Sequence, residues 1–152
     1  MARIKLKRHE HYQFRHWLAV RVGDVNYGGH LGNDAVVRLC NEARVQMMRQ
    51  LDCSELDLGD GATGVVMTEL AVNYVGEGFL HDALLVHSRV DSVGYFGFRV
   101  HHLLEKDGDD GPAPVALVQT ALSAFDGASR QIGELPSSFI AALGRAGVEV
   151  DL

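Results

Sequence analysis

Only one long stretch of this chain carries a helical period. Ala35, Val36, Leu39, Cys40, Ala43, Met47 and Leu51 recur mostly at three- and four-residue steps, which places them on one face of an amphipathic helix. Arg38, Asn41, Arg44 and Arg49 take most of the opposite face. Elsewhere the chain alternates. In residues 12–22 the apolar side chains Tyr12, Phe14, Leu18, Val20 and Val22 share one parity, interrupted by His16, as in a strand with one buried face. Four β-rich runs follow at 65–75, 83–93, 95–104 and 115–125. Their separators are turn-like: "GEGFLHD", Gly94 and "KDGDDGPAP", the last a hairpin tip or flexible loop because similar strands flank it. Pro136 before "SSFIAALGRAG" predicts a short final helix. One long helix cannot cover both faces of five strands. The packing that follows is α+β: a strongly curved antiparallel five-stranded sheet wrapped around one long central helix, in a single domain over residues 1–152. The edge and face left uncovered favour a homodimer or homotetramer.

A chain of 152 residues, 47% hydrophobic and 22% charged, can bury a core of that kind without disulfides. Its formal charge of −6 argues against nucleic acid or an anionic membrane as partner. The basic cluster Arg3, Lys5, Lys7 and Arg8 has no interleaved aromatics and reads as a solvated lead-in. With no stretch of signal-peptide or membrane-spanning character and only two cysteines, the expected location is cytoplasmic. Cys40 belongs to the apolar helix face, and Cys53 opens a loop without an evident histidine partner. His9 and His11, and the pair His101 and His102, lack a recognisable metal-ligand spacing, and neighbours on a strand face opposite ways. No metal or cofactor is expected. Glu69 interrupts an apolar run and either faces solvent or lines a pocket.

The segment joining first strand to helix, residues 23–34, "GDVNYGGHLGND", is the chemically dense one. A helix N-terminus offers unpaired N–H groups and the positive end of the macrodipole, and glycines there allow close approach to the backbone. Gly28, Gly29 and the N–H groups from His30 to Asn33 are therefore oxyanion candidates, with Asn33 or Asp34 as helix cap. His30 can titrate near neutrality and serve as a base, or cap the loop through a hydrogen bond. Asp24 either tethers the loop or shares a face with Asn26. Glu42, about two turns into the helix, is a base if its neighbours are apolar and a surface ion pair otherwise. Tyr27 can donate through its hydroxyl or pack. The segment lacks the Lys-Ser/Thr ending of a phosphate-binding loop.

The order of elements, with Arg21-Val-Gly-Asp24-Val-Asn26-Tyr-Gly-Gly29-His30-Leu-Gly-Asn33 and then Glu42-Ala43-Arg44, resembles the hotdog-fold acyl-CoA thioesterases, the group that includes 4-hydroxybenzoyl-CoA thioesterase. The family pattern is roughly R-x-x-D-x-D-x-x-G-H-x-N-N followed by E-x-A-R or a close variant. Downstream, "ELAVNYVGEGFLHDALLVHSRV", with Tyr74 and Asp82, is similar to the family's second strand and the turn into its third. The resemblance covers about residues 12–125. It implies hydrolysis of an acyl-CoA or acyl-carrier-protein thioester, with the carbonyl held by Asn26 and the helix N-terminus against Tyr27, Gly28, Gly29, Leu31 and Asn33, and water activated by His30, Asp24 or Glu42. The family's second acid, its catalytic carboxylate, is here Asn26, which is neither a base nor a good nucleophile. Plant acyl-carrier-protein thioesterases resemble D-x-N-x-H, so an amide at this position is compatible with hydrolysis. The alternative is a non-catalytic acyl-thioester binding protein that has lost its acid.

Overall fold

A computed structural model describes residues 1–152. Its elements are β1 (Phe14–Ala19), α1 (Asn33–Gln50), β2 (Thr63–Tyr74), β3 (Ala83–Asp91), β4 (Gly97–Gly108), β5 (Gly111–Asp126), β6 (Gln131–Ile132) and α2 (Ser137–Arg145), with a 3-10 turn at Val22–Asp24 after β1. The five long strands form one antiparallel sheet in the order β1-β3-β4-β5-β2, folded around α1 as expected of a hotdog fold. The sheet has six strands, not five. The sixth, β6, is two residues long and pairs Phe125↔Ile132 and Asp126↔Gln131, alongside the end of β5 that extends past β4. Two residues carry no period, so no sequence pattern could announce it.

Local chemistry explains where the expected boundaries move. The first strand is shorter than residues 12–22, because after Ala19 the Val20 amide bonds the Asp82 carbonyl at 2.9 Å and the chain turns. Val22 keeps the parity of the buried residues but lies exposed in the 3-10 turn. Most of "KDGDDGPAP" is strand. Gly108 pairs Gly111 across a tip of Asp109 and Asp110, and Gly111 takes a φ of +102° that a β-branched residue would resist.

The core runs along α1 in two clusters. Ala35, Val36, Leu39, Cys40 and Ala43 pack with Val20, Leu84, Val86, Leu104, Val115 and Val118. Met47, Met48 and Leu51 pack with Phe98, Val100, Leu122, Phe139 and Leu143. Every residue of the predicted apolar face is buried, Cys40 among them, and burial pushes the Cys40 thiol well above its ordinary range. Cys53 is half-buried with its pKa pushed up to about 11, first by burial.

The structure departs from the sequence expectations at three places. Arg44 is buried, not on a solvated face, because the 52–62 loop folds over it and supplies Glu55 as its ion-pair partner. The helix cap is Gly32, not Asn33 or Asp34, which already belong to the first turn; the Gly32 N–H bonds the Asp24 carbonyl at 2.9 Å. The basic lead-in is not merely solvated. The Leu6 N–H donates to Asn73 Oδ1 at 2.8 Å, the Asn73 amide donates to the Ile4 carbonyl at 2.9 Å, and Arg8 pairs with Glu105 at 2.9 Å. This N-terminal strap crosses the sheet face opposite α1.

Candidate active site

The loop between β1 and α1 is held from three sides. Asp24 is buried under it: Oδ2 accepts the Arg21 N–H at 2.9 Å, and the carboxylate lies within ion-pair range of Arg21 at 3.6 Å and Arg38 at 3.7 Å. Arg38, one turn into α1, also donates to the Gly23 carbonyl at 3.2 Å and to Asp34 at 2.6 Å. It thereby ties the helix start to the loop, and its hydrogen bond to Asp34 holds that carboxyl below the usual range. On the other flank the Leu31 N–H donates to the Gly78 carbonyl at 2.7 Å, joining the loop to the segment after β2.

Within this frame residues 26–30 form a tight turn. The Asn26 N–H bonds the His30 carbonyl at 2.9 Å, and the Gly29 N–H bonds the Asn26 carbonyl at 3.0 Å with Gly29 at φ +82°. Asn26 Oδ1 accepts the Gly28 N–H at 2.9 Å, an Asx turn that leaves the Asn26 Nδ2 donors unspent. A Cβ on Gly28 would be tight, 3.1 Å from Asn26 Oδ1 and 3.3 Å from His30 Nε2, so a side chain there would push these two groups aside by a few tenths of an ångström. Gly28 therefore lets the Asn26 and His30 side chains approach one another.

The candidate oxyanion donors can now be sorted. Four of the N–H groups proposed from sequence already have acceptors in the chain, those of Gly28, Gly29, Leu31 and Gly32. The N–H groups of His30 and Asn33 have none. Both belong to residues lining a cleft of about 530 Å³ at the α1 N-terminus, bounded also by Asn26, Tyr27, Leu31, Tyr74 and Glu77. Tyr27 stands fully exposed at the mouth and packs against nothing. His30 Nδ1 is 3.4 Å from the Leu31 carbonyl; with Nδ1–H donating there, Nε2 keeps its lone pair.

Asp24 and Glu42 do not line this cleft. Asp24 is occupied beneath the loop, while Glu42 is half-exposed on α1 with Oε1 3.6 Å from His16 Nε2 on β1. Gly28 and Gly29 shape the turn without lining the cleft. Glu69 faces solvent and pairs with Arg99 at 2.7 Å. The cleft also gains residues that loop-centred reasoning missed. The Tyr74 hydroxyl donates to the Asn33 carbonyl at 2.9 Å, pinning the end of β2 to the helix start. Glu77 projects from a short segment whose backbone is crowded at both neighbours: a Cβ on Gly76 would lie 2.3 Å from the Pro114 carbonyl, and one on Gly78 would lie 3.2 Å from Leu31. Glu77 has no hydrogen bond or ion pair in the chain, whereas the other carboxylate lining the cleft, Asp34, is clamped by Arg38. The glycines flanking Glu77 in "GEG" are the one sequence signal for it, and they are also ordinary turn composition.

The model of the thioesterase-like superfamily matches residues 20–143 of this sequence, the span from the end of β1 into α2. The chain belongs to that superfamily. Among solved structures it is similar to a 1,4-dihydroxy-2-naphthoyl-CoA thioesterase from Synechocystis, at TM-score 0.76 and 16% identity over 86% of this chain and 95% of that one. A thioesterase from Thermus thermophilus, solved with coenzyme A and zinc, matches at TM-score 0.74 and 22% identity over 91% and 97% of the two chains. A thioesterase-superfamily protein from Jannaschia sp. CCS1 matches at TM-score 0.78 and 16% identity over 92% and 87%. At these identities the likeness is one of fold. Comparison with curated proteins finds no match. For this thioesterase-superfamily chain, Asn26 is the point where the motif and the expected chemistry diverge.

Proposed function

We propose that this chain hydrolyses an acyl-CoA or acyl-carrier-protein thioester to the free acid and thiol. The observation that carries this reading is the cleft at the positive end of α1, where two unpaired backbone donors, the N–H groups of His30 and Asn33, stand beside an imidazole. The thioester carbonyl oxygen sits against those donors and the Asn26 Nδ2–H, which strengthen their hold as charge builds on it in the transition state. Water, losing its proton to His30 Nε2, attacks the carbonyl carbon. The tetrahedral intermediate collapses with cleavage of the C–S bond, and His30 returns the proton to the departing sulfur. Asn26 thus holds the carbonyl and does not act as nucleophile. Glu77, the free carboxylate of the cleft, is a second group able to accept the proton. The neighbour solved with coenzyme A supports the CoA-thioester class.

We place the reaction in the cytoplasm; no helix is long and apolar enough to cross a membrane. The working unit we propose is a homodimer or homotetramer. In support, the edge strand β2 exposes Met67, Leu70 and Tyr74, with Val75 just beyond it.

Two observations favour the rival reading of a non-catalytic acyl-thioester binder: position 26 is an amide, and neither Asp24 nor Glu42 lines the cleft of its own chain. Thiol release from short, long and aromatic acyl-CoAs, measured for wild type and Asn26→Asp, separates the two. Wild-type turnover lost in His30→Ala supports hydrolysis as written. Turnover only in Asn26→Asp, with acyl-CoA binding intact in wild type, establishes the binder.

A further inference from the structure

A second cluster of polar side chains lies away from the cleft, on the sheet face that α1 does not cover. The register of β3 on β4 sets Arg89 opposite His101, and Asp91, two residues along β3, shares their face. Asp91 Oδ1 accepts from His101 Nε2 at 2.9 Å. The N-terminal strap brings His9 to the same place: its ring centroid lies 4.4 Å from that of His101. One ligand-capable atom from each of His9, Asp91 and His101 lies within 4.8 Å of the others. Sequence spacing hid this set, because His9 and Asp91 belong to opposite ends of the chain's first two-thirds. The two adjacent histidines on β4 do face opposite ways, as expected: His102 is buried with Nδ1 2.8 Å from Ser88 Oγ, leaving His101 to the strap.

We propose that His9, Asp91 and His101 bind a divalent transition-metal ion that fastens the N-terminal strap to the sheet. The decisive observation is His9 Nε2, which is shielded from solvent and has no hydrogen-bond partner. Buried polar atoms are nearly always satisfied, and this unpartnered imidazole lies against the His101 ring with Asp91 in reach, a grouping that a cation would satisfy. Two histidines with one carboxylate suit zinc and its neighbours rather than magnesium or calcium, and leave a position for water. Ligation through His101 Nε2 needs the tautomer with the ring proton on Nδ1, so the proton between Nε2 and Asp91 Oδ1 moves through solvent to Nδ1 and that hydrogen bond is given up. Since Zn–N and Zn–O distances are about 2.0–2.2 Å, the three donors draw together, His9 moving most because it rides on the strap.

The surroundings orient these ligands. Ser92 Oγ donates to Asp91 Oδ1 at 3.0 Å, and Arg89 Nε donates to Oδ2 at 3.4 Å. The Tyr12 hydroxyl accepts the His9 backbone N–H at 3.1 Å, with its ring edge-on to the His9 ring. Asp91 also lines a solvent-open cavity of about 310 Å³ shared with Arg89, Glu149 and Asp151. Those two further carboxylates offset the Arg89 charge along the ion's route. No residue is shared with the thioester cleft, so the site stands whether or not the chain is a hydrolase.

The test is titration of the full chain, stripped with a chelator, with Zn2+ by calorimetry and with Co2+ by visible absorption. Expected are one saturable equivalent per chain, nitrogen- and oxygen-ligated cobalt bands, and a rise in Tm with added zinc. His9→Gln and Asp91→Asn should each weaken binding by at least about tenfold, given that loss of outer partners alone costs about 10–100-fold. His11→Gln, in the neighbouring exposed imidazole, should bind like wild type. Absence of a saturable site in wild type, or undiminished affinity in both ligand variants, overturns the proposal. Loss of the site in His11→Gln with its retention in His9→Gln overturns it equally.

Discussion

The two ends of α1 have been treated oppositely. At its C-terminal end α2 closes over the sheet. Phe139 and Leu143 are fully buried, the Phe98 and Phe139 rings pack at 5.2 Å, and the 52–62 loop brings Glu55 onto buried Arg44. At the N-terminal end no second helix arrives. The helix start is instead fixed by point contacts, Tyr74 to the Asn33 carbonyl, Arg38 to Gly23 and Asp34, and Gly78 to Leu31, around a cleft with two unspent N–H donors. Apolar area, which stabilises at roughly 25 cal/mol per Å² buried, seals one end, whereas directional bonds hold the other without filling it. An oxyanion site needs the N-terminal end left open, because only there are the unpaired backbone groups N–H donors; the C-terminal end has carbonyls to offer.

Substitutions at the two ends should therefore separate stability from chemistry. The largest stability effect is expected for Phe139→Ala, about 3–5 kcal/mol in denaturant unfolding, with the acyl-thioester KM of the surviving folded fraction unchanged. A comparable loss of binding would show that the two ends are mechanically coupled. At the open end, His30→Ala should lower thiol release by about 10²–10⁴-fold while moving Tm little. An unaltered rate would move the proton-accepting role to Glu77, which Glu77→Gln then examines.

Protons sharpen the contrast from inside. His102 is held neutral under α1, its pKa lowered to about 3, first by burial and then by the Arg44 charge. The unfolded chain protonates this ring near 6.5, well before the folded chain does, so the unfolded state binds more protons between those values. Stability should be full above about pH 6.5 and fall as pH drops toward 3. Unfolding curves at a series of pH values should show this slope, and His102→Gln should flatten it. A smaller change, about 0.5–1.5 kcal/mol, is expected for Tyr74→Phe, which removes one hydroxyl bond to the helix start. Its diagnostic is a rise in KM measured where the variant remains fully folded. Smallest of all is Glu42→Gln, whose half-exposed pair with His16 is worth about 0–1 kcal/mol and lies away from the cleft. An effect on turnover beyond a few-fold would return Glu42 to the catalytic set.

The helix face from Ala35 to Leu51, the four strands after it and the chemical density of the 23–34 loop are legible in the chain. Each is announced by neighbours: a period of 3.6 or 2, or glycines packed against a helix start. Arg44 reads as a surface residue because its partner, Glu55, sits in a loop without a period. The N–H groups proposed as oxyanion donors can be named from sequence only as a set of candidates. Choosing His30 and Asn33 from it requires the acceptors of the others, the carbonyls of Asn26, Gly78 and Asp24 and the Asn26 side chain. Glu77 and Tyr74 enter the site only because β2 runs beside the helix start.

The sequence by itself determined the α+β architecture and the superfamily motif with its departures, Asn26 in place of an acid and Gly32 in place of the first closing asparagine. These are local properties, written in residue type and spacing. Tertiary structure alone decided which N–H groups stay free, that Asp24 and Glu42 lie outside the cleft while Glu77 lines it, and that His9 meets Asp91 and His101. Each of those depends on pairing between segments distant in the chain, where register and crossing geometry set the distances and no local pattern reports them.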